Sequence, residues 1–178
     1  MKTIAAFSVV IFQLAEIDLS SNFIDLIVIK DLAYFLKKST GRLKKINLAH
    51  NLIDKNEAAL LGVSLKNNEF LEALDLSSNP VGNGLAINLM ISLFENKALK
   101  TLKLHKTTIT DLEVQFIAEA LKTNNTLKIL DISDTPTTNA GITLFSQILS
   151  ENKTLESLNI SGIAIEESTA HLLSNALF

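Results

Sequence analysis

The sequence predicts an α/β fold, specifically a right-handed α/β solenoid: a short arc with a parallel sheet on its concave side and helices on its convex side. Three observations predict it. An apolar frame, clearest as LxxLxLxxN over Leu71–Asn79, recurs at fixed spacing; a pattern of helical period follows each frame; and the loops that close the units share one composition. A unit of one short strand and one helix cannot bury its apolar face alone, so such units must stack.

Composition bounds the rest. A chain of 178 residues suits one array rather than two independent folds. With 47% hydrophobic residues, 20% charged and only 2 prolines, disorder is excluded as the main state. The absence of cysteine removes disulfides, thiol nucleophiles, cysteine–zinc sites and iron–sulfur clusters together. A net charge of -3 argues against nucleic acid as a partner.

The elements follow in order. Met1-Lys2-Thr3 leads an apolar run from Ile4 to Phe12, which reads as a signal-peptide core or as a cap over the first unit. No small-x-small cleavage site precedes Leu14, and the run is far short of the roughly 20 residues that span a bilayer. Residues 1–13 are therefore expected to be an N-terminal cap. Residues 14–178 hold six repeats, starting at Leu14, Leu43, Leu71, Leu99, Leu127 and Leu155 in steps of 29, 28, 28, 28 and 28 residues. Every apolar site of the frame is leucine or isoleucine, from Leu14/Ile17/Leu19 to Leu155/Leu158/Ile160. The extra residue of the first unit falls around Ser39-Thr40-Gly41, in a loop where insertion disturbs no packing. Two places after the Asn position stands Ile24, Ile53, Val81, Ile109 or Ile165, with Thr137 the exception. The helices show best in Asp111–Leu121, whose Val114, Ile117, Ala118 and Leu121 share one face, with Asp111 the expected N-cap. Closing loops repeat Asn with Lys or Thr, as in Lys66-Asn67-Asn68 and Glu151-Asn152-Lys153. The last helix ends at Phe178 with no polar cap, as in a fragment or an unusually short array.

These residues, in the pattern NxxLxxLxLxxNxI…AxALxxN, resemble the leucine-rich repeat family in its long ribonuclease-inhibitor-like subclass, over Leu14 to Phe178. The units are also similar to those of intracellular innate receptors and of the actin-capping tropomodulins. The resemblance implies an inward-turned Asn at the ninth position, bonded to the bend between strand and helix. Asn22, Asn51 and Asn79 fit, whereas Thr107, Thr135 and Ile163 depart, so looser bends are expected in the second half, especially near Ile163. A cytoplasmic setting is also implied. The vocabulary of lysine, asparagine and isoleucine leaves room for a bacterial effector delivered into a host cell.

Alternate strand residues face opposite ways, which exposes those between the leucines on the concave face. The central column reads Asp18, Asn47, Asp75, Lys103, Asp131, Asn159, and the next Ser20, Ala49, Ser77, His105, Ser133, Ser161. On the other flank stand Glu16, Lys45, Ala73, Thr101, Ile129 and Ser157. The fourth repeat adds Lys100 and Lys106 to Lys103 and His105, a basic group suited to an acidic protein surface. Asp75–Lys103–Asp131 reads equally as a self-satisfied ladder. With one arginine (Arg42) and no tryptophan, the face suits a polar binder of moderate affinity.

No chemistry is expected. His50, His105 and His171 occupy different structural positions, and no carboxylate pair completes a metal site with them. His105 beside Ser77, Ser133 and Asp131 has the residue types of a hydrolase triad, but an open, solvated face supplies neither oxyanion hole nor desolvation. No phosphate-binding glycine loop is present. The expected function is thus a non-enzymatic protein-interaction module or scaffold with no cofactor, no membrane span and no nucleic acid, monomeric or weakly associated end to end. The alternatives are actin capping and regulation of a small GTPase; Arg42, on the helix-to-strand side, does not fit the arginine rim of the GTPase-activating members.

Overall fold

The computed structural model describes residues 14–38 and 42–177. The expected cap at 1–13, the insertion at 39–41 and Phe178 lie outside them. Six three-residue strands alternate with six helices: β1 Glu16–Asp18, α1 Leu26–Lys38, β2 Lys45–Asn47, α2 Lys55–Leu65, β3 Ala73–Asp75, α3 Gly82–Glu95, β4 Thr101–Lys103, α4 Asp111–Leu121, β5 Ile129–Asp131, α5 Asn139–Leu149, β6 Ser157–Asn159 and α6 Glu167–Leu177. The sheet is parallel throughout, in the order β1-β2-β3-β4-β5-β6. Its register aligns equivalent residues exactly as the frame requires: Ile17, Ile46, Leu74, Leu102, Leu130 and Leu158 stand side by side. Each helix packs against its sequence neighbours.

The aliphatic spine is one continuous core. Frame residues of the second to fifth repeats, Leu43 to Ile132, are at most 2% exposed. In the outer repeats Ile17, Leu19, Leu155, Leu158 and Ile160 are only partly buried, because each lies at an edge of the stack. A fully buried leucine contributes about 1.5–3 kcal/mol, so the inner repeats hold the array together. The helical faces join this core through Val114, Ile117, Ala118 and Leu121, as their spacing predicts.

Asp111 is not the N-cap of α4. That position belongs to Thr110, whose N–H and hydroxyl both donate to Glu113 Oε2 at 2.7 Å, within a capping box. Asp111 instead accepts from the Thr138 N–H and hydroxyl, both at 2.7 Å, and so ties α4 to the start of α5. Asn139 Oδ1 likewise accepts from Glu166 N at 2.8 Å.

These ties change the expectation of looser late bends. Asn51 and Asn79 bond the preceding repeat, donating to Leu19 O at 3.0 Å and Leu48 O at 2.9 Å. Thr107 and Thr135 reach only their own bends, through Leu104 O and Ile132 O, and Ile163 is buried as an apolar plug. Other inter-repeat bonds stand in their place: Gly82 N to Thr108 Oγ1 at 2.9 Å between the third and fourth repeats, and those of Asp111 and Asn139 between the later ones.

A second asparagine column binds the opposite side. Asn68, Asn96, Asn124 and Asn152 stand three residues before each frame and accept from the two N–H groups that open it, such as Ala98 N at 2.9 Å and Leu99 N at 2.7 Å for Asn96. Their amides donate to carbonyls of the previous repeat. Buried backbone groups demand partners, and these side chains supply them. Three residues beyond each strand stands a left-handed residue, at Ser21, His50, Ser78, Lys106, Asp134 and Gly162, with φ from 52° to 74°. In the first five, the N–H donates to the next repeat's carbonyl, as His50 N does to Ser77 O at 2.9 Å.

Candidate functional site

The concave face carries the expected columns in register. Asp18, Asn47, Asp75, Lys103, Asp131 and Asn159 are successive neighbours across the sheet. Over the first four strands the face forms a hollow of about 410 Å³, lined by Asp18, Lys45, Asn47, Ala73, Asp75 and Lys103 among others. Ala73 is small beside Lys45 and Thr101, which deepens the floor there.

The acids and amides of the central column also have a structural task that spacing alone does not reveal. Each accepts from the backbone N–H two residues on: Ser20 N to Asp18 at 2.8 Å, Ala49 N to Asn47 at 3.0 Å, Ser77 N to Asp75 at 2.9 Å, Ser133 N to Asp131 at 3.0 Å and Ser161 N to Asn159 at 3.1 Å. This bond turns the chain out of the strand in five of the six repeats. Lys103 is the one member of the column unable to accept it. Side chains pair along the column too, Asn47 to Asp18 and Asn159 to Asp131, both at 3.1 Å.

Hydrogen bonding shapes the charge state of two members. The Ser20 hydroxyl and N–H, with help from Asn47, hold the Asp18 carboxyl below the ordinary carboxylate range. For Asp131, burial pushes the carboxyl up, but the Ser133 hydroxyl and N–H, the Asn159 amide and nearby His105 together outweigh it and leave it lowered.

The basic group of the fourth repeat is divided. Lys100 stands at the entry to β4 and pairs with Glu72 at 2.7 Å, while Lys106 stands past its exit in the left-handed bend. Lys103 lies 3.5 Å from Asp75, and neighbouring Lys128 pairs with Glu156 at 2.5 Å. Glu72 also takes Lys44 at 3.2 Å, and the two lysines, Lys100 foremost, hold its carboxyl below the usual range. Lys45 pairs with Glu16 at 2.6 Å, and that hydrogen bond raises its ammonium above the ordinary value. Among the candidate lysines, Lys106 alone has no ion pair within the described residues. Most of the basic group is thus tied to carboxylates across repeats, with Glu72 shared between Lys44 and Lys100. Each pair lies one repeat apart in sequence, so the register itself carried the signal through Glu72 and Glu156, in the row just before the columns considered.

His105 Nδ1 lies 2.9 Å from Ser133 Oγ and 3.7 Å from Asp134 Oδ2, and because the serine's one hydroxyl proton goes to Asp131, the imidazole N–H is the donor to Ser133. Ser133 gives its hydroxyl proton to Asp131 at 2.5 Å and takes one from Asn159 at 3.2 Å. The serine therefore sits between acid and imidazole, the reverse of the order in which a histidine activates a serine. Ile129, exposed on the concave side, adds an apolar contact beside these groups. Among the described residues no group of three or more His, Asp or Glu is placed to hold a metal ion.

Comparison with known proteins agrees with this architecture. A family model for the leucine-rich repeat matches residues 67–84, which span the Asn68 and Asn79 ties and the frame between them. The chain has the leucine-rich repeat fold. Among solved structures, leiomodin-1 actin-binding site 2 superposes with a TM-score of 0.71 at 20% identity, covering 86% of this chain and 91% of that one. The C-terminal domain of tropomodulin from Caenorhabditis elegans superposes at 0.70 with 14% identity, covering 84% and 90%. At such identities the likeness speaks for the fold. No curated protein matches in sequence.

Proposed function

We propose that this leucine-rich repeat protein is a non-enzymatic interaction module whose concave strand face receives a protein partner. The observation that carries this reading is the open hollow of about 410 Å³ over β1–β4, where polar side chains stand on a rigid aliphatic floor. Asp18, Lys45, Asn47, Asp75 and Lys103 form its first half, and His105, Ile129, Asp131 and Asn159 extend it. Lys100 and Lys106 mark its two rims. Because the charges are already paired, a partner gains from exchanging pairs rather than from net attraction, which suits moderate affinity and high selectivity. The 28-residue step supports the ribonuclease-inhibitor-like subclass, and a cytoplasmic scaffold is the setting this reading takes. No helix among the described residues is long and apolar enough to cross a membrane. This reading takes the chain as a monomer that associates at most weakly end to end.

The experiment is affinity capture from lysate with the parent chain, Lys103→Glu and Asp131→Lys. Loss of a specific partner with both variants is expected; unchanged recovery contradicts the concave assignment.

A second reading has a specific observation in its favour. Both structural neighbours above belong to the leiomodin and tropomodulin group, one of them a named actin-binding site, and both match over most of their length. Actin as the partner predicts altered filament-end kinetics in a pyrene-actin assay. Unchanged elongation and depolymerisation with excess protein remove it.

A further inference from the structure

We propose that the outer face of helices α1–α3 is a second docking surface, one that takes an acidic amphipathic helix of a protein partner. It lies on the side of the solenoid opposite the concave face and does not rest on the reading given above.

The repeat supplies its own control. One helix position, read through the array, is Tyr34, Val63, Ile91, Glu119, Gln147, Asn175. In α4–α6 it is polar, so the fold places no demand for an apolar side chain there. In α1–α3 it carries three, and they are solvent-exposed at 67%, 45% and 42%. Ile87 and Phe94 flank Ile91 one turn to either side on α3, and both are exposed as well. Neighbouring helices sit about 8–10 Å apart, which makes the row about 20 Å long. A helix of roughly 14 residues, rising 1.5 Å per residue, covers that length. Contiguous apolar surface rimmed by polar groups marks interaction sites on water-soluble proteins.

Charge selects the occupant. On the concave side Lys44, Lys45, Lys100, Lys103 and Lys128 each have a carboxylate partner, Glu72 being shared by Lys44 and Lys100. Lys30, Lys37 and Lys38, exposed on α1 around Tyr34, have no ion pair among the described residues. Of the other charges near the row, Lys66 and Glu95 satisfy each other at 3.0 Å, and Asp31 is half-buried. The surplus is positive and lies along one end of the apolar row, which fits apolar residues at helical spacing followed by carboxylates. An anionic bilayer shares that chemistry, but it would press against the whole helical layer, including Glu119 and Gln147, whereas a single helix covers only the row.

The test measures fluorescence anisotropy with the full chain and a labelled 14-residue helix-forming peptide, leucine at its first, fourth, fifth, eighth, eleventh and twelfth positions, glutamate at its third, seventh, tenth and fourteenth, and alanine elsewhere. Saturable binding is expected. The double change Val63→Gln and Ile91→Glu, which installs residue types the array already uses in later repeats, should weaken it at least tenfold with an unchanged circular dichroism spectrum. Lys30→Glu with Lys37→Glu should weaken it by a similar factor, while Lys103→Glu on the opposite face leaves it unchanged. The proposal is overturned by absence of saturable binding, by equal affinity for a peptide with every glutamate replaced by lysine, or by no effect of the convex variants. Sedimentation with phosphatidylserine vesicles but no peptide binding also overturns it, in favour of a membrane surface.

Discussion

Asn96→Ala should cost more stability than any single change on the concave face. Asn96 is 2% exposed and sits where the third repeat hands over to the fourth. Its amide donates to Leu65 O at 2.7 Å and Asn68 O at 2.8 Å, and its carbonyl accepts from Ala98 N at 2.9 Å and Leu99 N at 2.7 Å. Alanine leaves these backbone groups without that partner, and each buried, unpaired group costs about 1–3 kcal/mol. Taking the lower figure for each gives a loss of about 4 kcal/mol, a large share of a typical domain's stability of about 5–15 kcal/mol. With a urea slope of about 2 kcal/mol/M, the unfolding midpoint falls by about 2 M. Equilibrium urea unfolding followed by circular dichroism reads this directly. Asn96→Asp keeps the acceptor but loses both donations and buries a charge, so it should be no better tolerated. A midpoint lowered by less than about 0.5 M in the alanine variant refutes the argument that this column holds the repeats together.

Other consequences are measurable in the same way. Gly162 has φ 74°, and a Cβ there would overlap the Asp134 carboxylate; Gly162→Ala should destabilise by about 2 kcal/mol, and Asp134→Ala in the same chain should recover all but the left-handed cost of about 1 kcal/mol. Lys106→Gly should raise stability slightly, by about 0.5 kcal/mol, because relief of the left-handed conformation at φ 52° exceeds the added freedom of the unfolded chain. Asp131 has a carboxyl pKa lowered by its hydrogen bonds, so its stabilising contribution is present above the unfolded value near 3.9 and is lost as pH falls through the lower folded value. The urea midpoint between pH 5 and pH 2.5 should therefore fall less steeply in Asp131→Asn than in the parent chain.

The leucine frame was legible because burial acts at every repeat and leaves a period that sequence alone displays. Residues whose role depends on the neighbouring repeat were harder to read. Asn68, Asn96, Asn124 and Asn152 are visible as a column, but their bonds run to carbonyls about 30 residues earlier, which spacing does not show. Asp111 has a side chain that suits a cap, although Thr110-Asp111-Leu112-Glu113 already has the capping-box order that Thr110 and Glu113 adopt. The cationic look of the fourth repeat came from listing charges within a repeat. Across repeats, Lys100 meets Glu72 and Lys128 meets Glu156 in the same register. The central column's Asp and Asn residues form a surface, and their bonds to the N–H two residues on, which spacing does not display, also brace the bends that follow their strands.

The most direct test of the account is thiol labelling, since the chain has no cysteine of its own. Asp75→Cys and Lys103→Cys should react with a soluble maleimide at nearly the rate of a free peptide. Leu74→Cys and Leu102→Cys, one residue away in β3 and β4, should react only as fast as the protein opens. The four rates should converge in urea. Rapid labelling at 74 and 102 in the folded protein, or protection at 75 and 103, would contradict a polar face held open above a closed aliphatic spine.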